Sequence, residues 1–188
     1  YKIQYYVINF TYIYIYIFIY MKYIFGLGLP RTCTNSLGIA LHLIGINGEC
    51  KCILNDFHNK REKDNNSNDY KYIIYNDAYQ ELDMLLNDDK IYNNKYILTM
   101  RNNNEWKKSI QKFDKKEVVE ELNTLNITEY MDKIIQIFKG KKCIHNLLII
   151  NIFEEEDELL WNKLYNFLNL KPEDDIVDTE FPKINLNQ

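Results

Sequence analysis

Between Gly26 and Leu37 the chain reads Gly-Leu-Gly-Leu-Pro-Arg-Thr-Cys-Thr-Asn-Ser-Leu, and most of these residue types suit an anion. Thr32, Thr34 and Ser36 carry hydroxyl donors, and Asn35 carries an amide. Arg31 adds a charged fork that binds phosphate or sulfate. Gly28 lets a backbone approach closely, and Pro30 stiffens the turn. The apolar run Lys22–Leu27 predicts a buried strand, while Leu37, Ala40, Leu41 and Ile44 recur at helical spacing and predict a helix over 34–43 ended by Gly45 and Gly48. A strand, a tight loop and a helix in that order aim main-chain N–H groups and a positive helix end at a bound phosphate. Cys33 falls at the helix start beside Arg31, a setting that predicts a lowered thiol pKa and ready reaction if the sulfur is exposed.

The loop is not a Walker A sequence. That pattern ends in Gly-Lys-Ser/Thr, with the Lys on the phosphates and the hydroxyl on magnesium. Here Cys33-Thr34-Asn35-Ser36 stands in its place, without a Lys. A second strand, Lys95–Met100 (KYILTM), ends in Arg101 rather than in an Asp that would help to hold magnesium. A helix over 104–113 follows, carrying Ser109, with Trp106 expected to face the core. These features describe a site for a phosphate-like group that needs no metal.

The elements that must position these residues alternate in type. Further strands are predicted at Cys52–Leu54, Tyr72–Tyr75 and Leu147–Ile152, and helices over 77–87, 116–125, 128–138 (capped by Thr128) and 155–168, the last with Leu159, Leu160, Leu164, Phe167 and Leu168 inward. The polar stretch Asn55–Asp69 reads as a surface loop. Strands alternating with helices predict an α/β fold with a mainly parallel sheet, whose ligands bind at the carboxyl ends of the strands. The length of 188 residues allows one domain over 21–188. A net charge of −4 argues against a general nucleic-acid binder.

The four cysteines (Cys33, Cys50, Cys52 and Cys143) show no C-x-x-C pair, and Cys50, Cys52 and His58 fit no zinc spacing, so no metal site is expected. Free thiols point to a reducing, cytoplasmic setting. Residues 1–20 are nearly all Tyr, Ile, Phe and Val. Their uninterrupted stretch from Tyr12 to Tyr20 is too short to span a bilayer, and they lack the marks of a signal peptide. They read as an extension upstream of Met21, or alternatively as a weak membrane anchor.

GLPRTCTNSL resembles the 5′-phosphosulfate loop of sulfotransferases that use 3′-phosphoadenosine 5′-phosphosulfate (PAPS), which reads like G-x-P-R-T-G-T-T-S-L. Cys33 stands at the Gly position and Asn35 at a Thr position. KYILTMRNNNEWKKSI is similar to the same family's 3′-phosphate site, K-F-I-L-T-V-R-D-x-x-x-W-x-x-S, with Arg101 and Ser109 on the phosphate-binding Arg and Ser. The closing LLIINI, WNKLYNFLNL and FPKIN resemble the family's last strand, Trp helix and F-P-x-x-N tail. The resemblance implies a three-layer P-loop NTPase-like fold and PAPS as donor co-substrate. The donor would be held by Gly28, Arg31, Thr32, Cys33, Thr34, Asn35, Ser36, Arg101 and Ser109. It implies transfer to a hydroxyl or amine, with Arg31 at the leaving group and a base near the end of the YIIY strand. Asp77 is the candidate for that base, with His58 and His42 as rivals and His145 on the surface. The alternatives are a relative that binds the nucleotide without turning it over and a nucleotide kinase of the same broad fold.

Overall fold

The computed structural model describes residues 22–51, 70–75, 82, 86, 89–112 and 116–184. Five strands form one all-parallel sheet: β1 (Lys22–Gly26), β2 (Asn47–Lys51), β3 (Tyr70–Tyr75), β4 (Lys95–Thr99) and β5 (Leu147–Ile150), in the order β2-β3-β1-β4-β5. The helices are α1 (Thr34–Leu43), α2 (Asn103–Ile110), α3 (Lys116–Thr124), α4 (Ile127–Gly140), α5 (Asp157–Leu168) and the single turn α6 (Asp174–Val177).

Side chains alternate across the sheet, and each face has its own core. Ile24, Tyr72, Ile74, Ile97 and Ile150 pack against Leu37, Ala40 and Leu41 of α1 and Leu160, Trp161 and Leu164 of α5. Tyr96, Leu98 and Leu147 pack on the opposite face against Ile134 and Phe138 of α4, with Leu82 and Leu86 beside them. The expected α/β architecture with a parallel sheet between helices is therefore present. β4 shows why sequence reading finds such strands easily, because its last four residues are all buried.

One strand was not anticipated, and three expectations are corrected. The strand after α1 begins at Asn47, ahead of the predicted Cys52–Leu54, which lies outside the described residues. Gly45 alone ends α1. It sits at φ 80°, its N–H bonds His42 O at 3.0 Å, and the Ile46 N–H bonds Leu41 O at 2.9 Å, which closes the helix in a Schellman turn. Gly48 instead lies in β2, where a Cβ would collide with the Tyr72 backbone of β3. The cap of α4 is Asn126, whose side chain accepts from the Thr128 N–H at 3.0 Å, and not Thr128 itself. On α5 the inward stripe is Leu160, Trp161, Leu164, Tyr165 and Leu168, whereas Leu159 is exposed. The predicted helix over 77–87 falls outside the described residues except for Leu82 and Leu86, both buried.

Candidate functional site

The path of the chain opens a crevice at one place on the sheet. From β1 the chain runs through α1 to β2 on one side. From β4 it runs through α2, α3 and α4 to β5 on the other. β1 and β4 are neighbours, so their outgoing loops part at the carboxyl edge, the usual ligand position in such folds. Both sequence motifs lie there.

The loop after β1 is held from several sides. Leu27 continues the β1–β4 ladder by donating to Ile97 O at 2.9 Å, and Tyr130 of α4 donates its hydroxyl to Leu27 O at 2.7 Å. Burial pushes the Tyr130 phenol pKa well up, so that proton stays in place. Trp106 of α2, fully buried, donates its indole N–H to Pro30 O at 2.8 Å, which makes it a core anchor as its helical position implied. Thr32 donates its hydroxyl to Leu29 O at 2.7 Å and meets the Thr99 hydroxyl at 2.8 Å. With its one proton on Leu29, Thr32 accepts from Thr99, and both hydroxyls serve the protein. Gly28 is small for the same reason. A Cβ there would overlap Thr99 Oγ1, Thr32 Oγ1 and the Thr34 methyl.

Two non-glycine residues of this loop take positive φ, Arg31 at 69° and Cys33 at 67°. The left-handed turn at Cys33 starts α1, a conformation that favours glycine. Cys33 is buried, only 8% exposed, and its thiol lies inside the fold. Its pKa is raised, first by burial, against smaller opposing effects from the Ser36 hydroxyl bonded to it and from Arg101 and Lys183 nearby. The expected lowered thiol pKa is thus corrected: desolvation outweighs the hydrogen bond and the two nearby cations. Ser36 is fully buried and accepts the Ile184 N–H at 3.0 Å, so it anchors the C-terminal segment. Phe181 of that segment lies 4.6 Å from the Trp161 ring, and Lys183 pairs with Asp157 at 2.6 Å.

Arg31 and Asn35 remain half-buried at the crevice, and Thr34 is nearly covered. Cys33 supplies no side-chain cap to α1, and the first turn of α1 holds no acidic residue. The first turns of α2, α3, α4 and α5 carry Glu105, Glu117, Glu129, and Asp157 with Glu158. Helix ends attract negative charge, and α1 alone among these keeps its positive end clear of local carboxylates.

Arg101 joins the two motifs. Its Nη1 donates to Arg31 O at 3.3 Å, across 70 residues of sequence, and its guanidinium lies 4.2 Å from the centre of the Phe153 ring. Its Nε is buried with no hydrogen-bond partner among the described residues. Asn102 caps α2 by accepting from the Asn104 N–H at 3.0 Å, which fixes the exit from β4. Ser109 is half-buried in the last turn of α2, about two turns along the helix from Arg101. Asp77 and His58 lie outside the described residues. His42 is half-buried near the end of α1, and His145 is exposed. Sequence reading missed Thr99, Tyr130, Ile184 and Phe153. Phe153 was reachable, because it follows β5 at the same carboxyl edge that the two motifs occupy.

Among the described residues no group of three His, Cys, Asp or Glu side chains is placed to hold a metal ion, and no helix is long and apolar enough to cross a membrane. Comparison with family models and with curated protein sequences gives no match.

Proposed function

We propose that the chain is a sulfotransferase with a P-loop NTPase-like fold that takes PAPS as donor and passes its sulfuryl group to a hydroxyl or amine. The observation that carries this reading is the bond from Arg101 to Arg31 O, which ties both arginine motifs to the start of α1, whose first turn holds no acidic residue. Two guanidinium groups and a positive helix end form a site for a ligand with more than one anionic group. The strand order and the absence of a Lys from the loop agree with a nucleotide held by arginine and main-chain N–H groups.

In the proposed reaction the acceptor oxygen or nitrogen attacks sulfur in line. A bond from that atom to sulfur forms, the bond from sulfur to the bridging oxygen breaks, and adenosine 3′,5′-bisphosphate (PAP) leaves with the electron pair. Arg31 and the N–H groups of α1 stabilise charge on the departing phosphate. Arg101 and Ser109 hold the 3′-phosphate. A base takes the acceptor proton, and Asp77, two residues beyond β3, is the proposed base.

The internal use of Thr32 and Ser36 favours a second reading. Two hydroxyls of the loop serve the fold, which also suits a relative that binds the nucleotide without transfer. Calorimetric titration of the chain with PAP and with ATP–magnesium, followed by a transfer assay with sulfur-labelled PAPS and a panel of hydroxyl and amine acceptors, separates the readings. The sulfotransferase reading expects PAP binding and label transfer that Asp77→Asn abolishes while PAP still binds. PAP binding without transfer to any acceptor supports the second reading. Binding of ATP–magnesium and not of PAP excludes both and points to a nucleotide kinase.

A further inference from the structure

We propose that Phe153 is a positioning residue for Arg101, and through it for the 3′-phosphate of a nucleoside bisphosphate. This rests on the nucleotide reading of the crevice. Arg101 leaves the end of β4 as a long side chain with many rotamers. Its only hydrogen bond among the described residues, to Arg31 O, is long at 3.3 Å. One such bond leaves the plane of a guanidinium poorly fixed, whereas an aromatic face at 4.2 Å sets it. The guanidinium carbon lies over the ring, and Nε, buried and without a hydrogen-bond partner among the described residues, stays available as a donor.

Phe153 is itself held in place. Its N–H bonds Asn151 Oδ1 at 3.2 Å, and the Asn151 N–H bonds Glu155 Oε1 at 2.8 Å. Glu155 in turn pairs with Lys163 of α5. The loop after β5 therefore carries the ring to the carboxyl edge on a braced turn. An aromatic ring that is 36% exposed contributes little to the core, and its position over Arg101 gives it a different role.

The test is calorimetric titration of PAP into the full chain and into Phe153→Leu, Phe153→Tyr, Arg101→Ala and the double variant Arg101→Ala with Phe153→Leu. The expected result is that Phe153→Leu weakens PAP roughly two- to thirty-fold, the span of a guanidinium–ring contact from exposed to desolvated. Phe153→Tyr restores the affinity, the melting temperature without ligand is unchanged, and Phe153→Leu has no further effect once Arg101 is Ala. A ring that only packed would move the melting temperature and would act independently of Arg101. Retention of full PAP affinity in Phe153→Leu, with a clear loss in Arg101→Ala, overturns this proposal and leaves the nucleotide site standing. Failure of the unaltered chain to bind PAP overturns both.

Discussion

The loop after β1 is closed on itself, whereas the loop after β4 leaves its one charged side chain half out over the crevice. In the first, carbonyls of Leu27, Leu29 and Pro30 each accept a side-chain donor from Tyr130, Thr32 and Trp106. Two left-handed residues are kept in place by that web. In the second, Asn102 caps α2 and Arg101 rests on one long hydrogen bond and a ring. The difference separates shape from charge. The first loop is a rigid frame whose hydroxyls are largely committed to the fold. The charge sits on Arg31 at its tip and on Arg101, brought in from the neighbouring strand, and these are the groups proposed to face the ligand. Residue types that suit an anion are thus not all on the anion, and the comparison states which variants should alter binding and which should alter stability.

The largest effect is expected from the charges. Arg31→Ala should lower sulfuryl transfer on the order of 10²- to 10³-fold, as loss of a preorganised donor at a leaving group does. Transfer within tenfold of the unaltered rate would break the assignment of charge to the loop tip. The counterpart in the frame is Thr32→Val, which keeps the shape and removes the hydroxyl. It leaves Leu29 O with the Thr32 N–H alone and deprives the buried Thr99 hydroxyl of its partner, at a cost of about 1–3 kcal/mol. In a chain of this length each kcal/mol corresponds to about 2–4 °C in melting temperature. PAP affinity at a temperature where the variant is folded should change little. A large loss of affinity with unchanged melting would reverse the roles given to frame and charge. Gly28→Ala should destabilise by about 1–3 kcal/mol, because its Cβ overlaps the same hydroxyl pair. Urea titration measures it, and a neutral result would show that the Thr32–Thr99 contact is not a tight constraint.

The parts of the molecule legible in sequence are those governed by one period or one local rule. β4 is an unbroken apolar run because both faces of a central parallel strand are covered, and α1 and α4 show their buried stripes at helical spacing. The strand β2 was not found because Asn47-Gly48-Glu49-Cys50-Lys51 has no apolar run. It is a strand through its pairing with β3, a partner far away in sequence. The positions of Arg31 and Arg101 were legible, since each follows a predicted strand. The bond between them was not, because the parallel neighbour relation of β1 and β4 is a tertiary fact. Ser36 has a structural bond that was hidden for a similar reason: its donor partner, the Ile184 N–H, arrives 148 residues later, and no local pattern announces it. Cys33 misled through competing effects. Helix end and arginine both argued for a low thiol pKa, and only the packing showed how strongly burial pushes it the other way.

Cys33 provides the smallest and sharpest test of the frame, because strain and titration both act on one side chain. At φ 67° a Cβ costs about 1–2 kcal/mol relative to glycine. Cys33→Ala keeps the strain and loses the buried sulfur, while Cys33→Gly loses both. Cys33→Gly is therefore expected to be more stable than Cys33→Ala by about 1 kcal/mol, less whatever the freer unfolded chain takes back. The pH dependence follows from the raised folded pKa. Between the ordinary thiol value and the raised one, the folded chain holds a proton that the unfolded chain has lost, so stability falls as pH rises. The stabilising share of Cys33 is fully present below the ordinary value and disappears as pH climbs through the folded value. The stability difference between the unaltered chain and Cys33→Ala, measured by urea titration from neutral to alkaline pH, should shrink steadily. Taking that difference removes the parallel contribution of the buried Tyr130 phenol, whose pKa is also raised. A difference that instead grew with pH would mean that the folded thiol titrates below its ordinary value. The helix end and Arg101, rather than burial, would then govern the start of α1, and the loop after β1 would be a charged site in its own right.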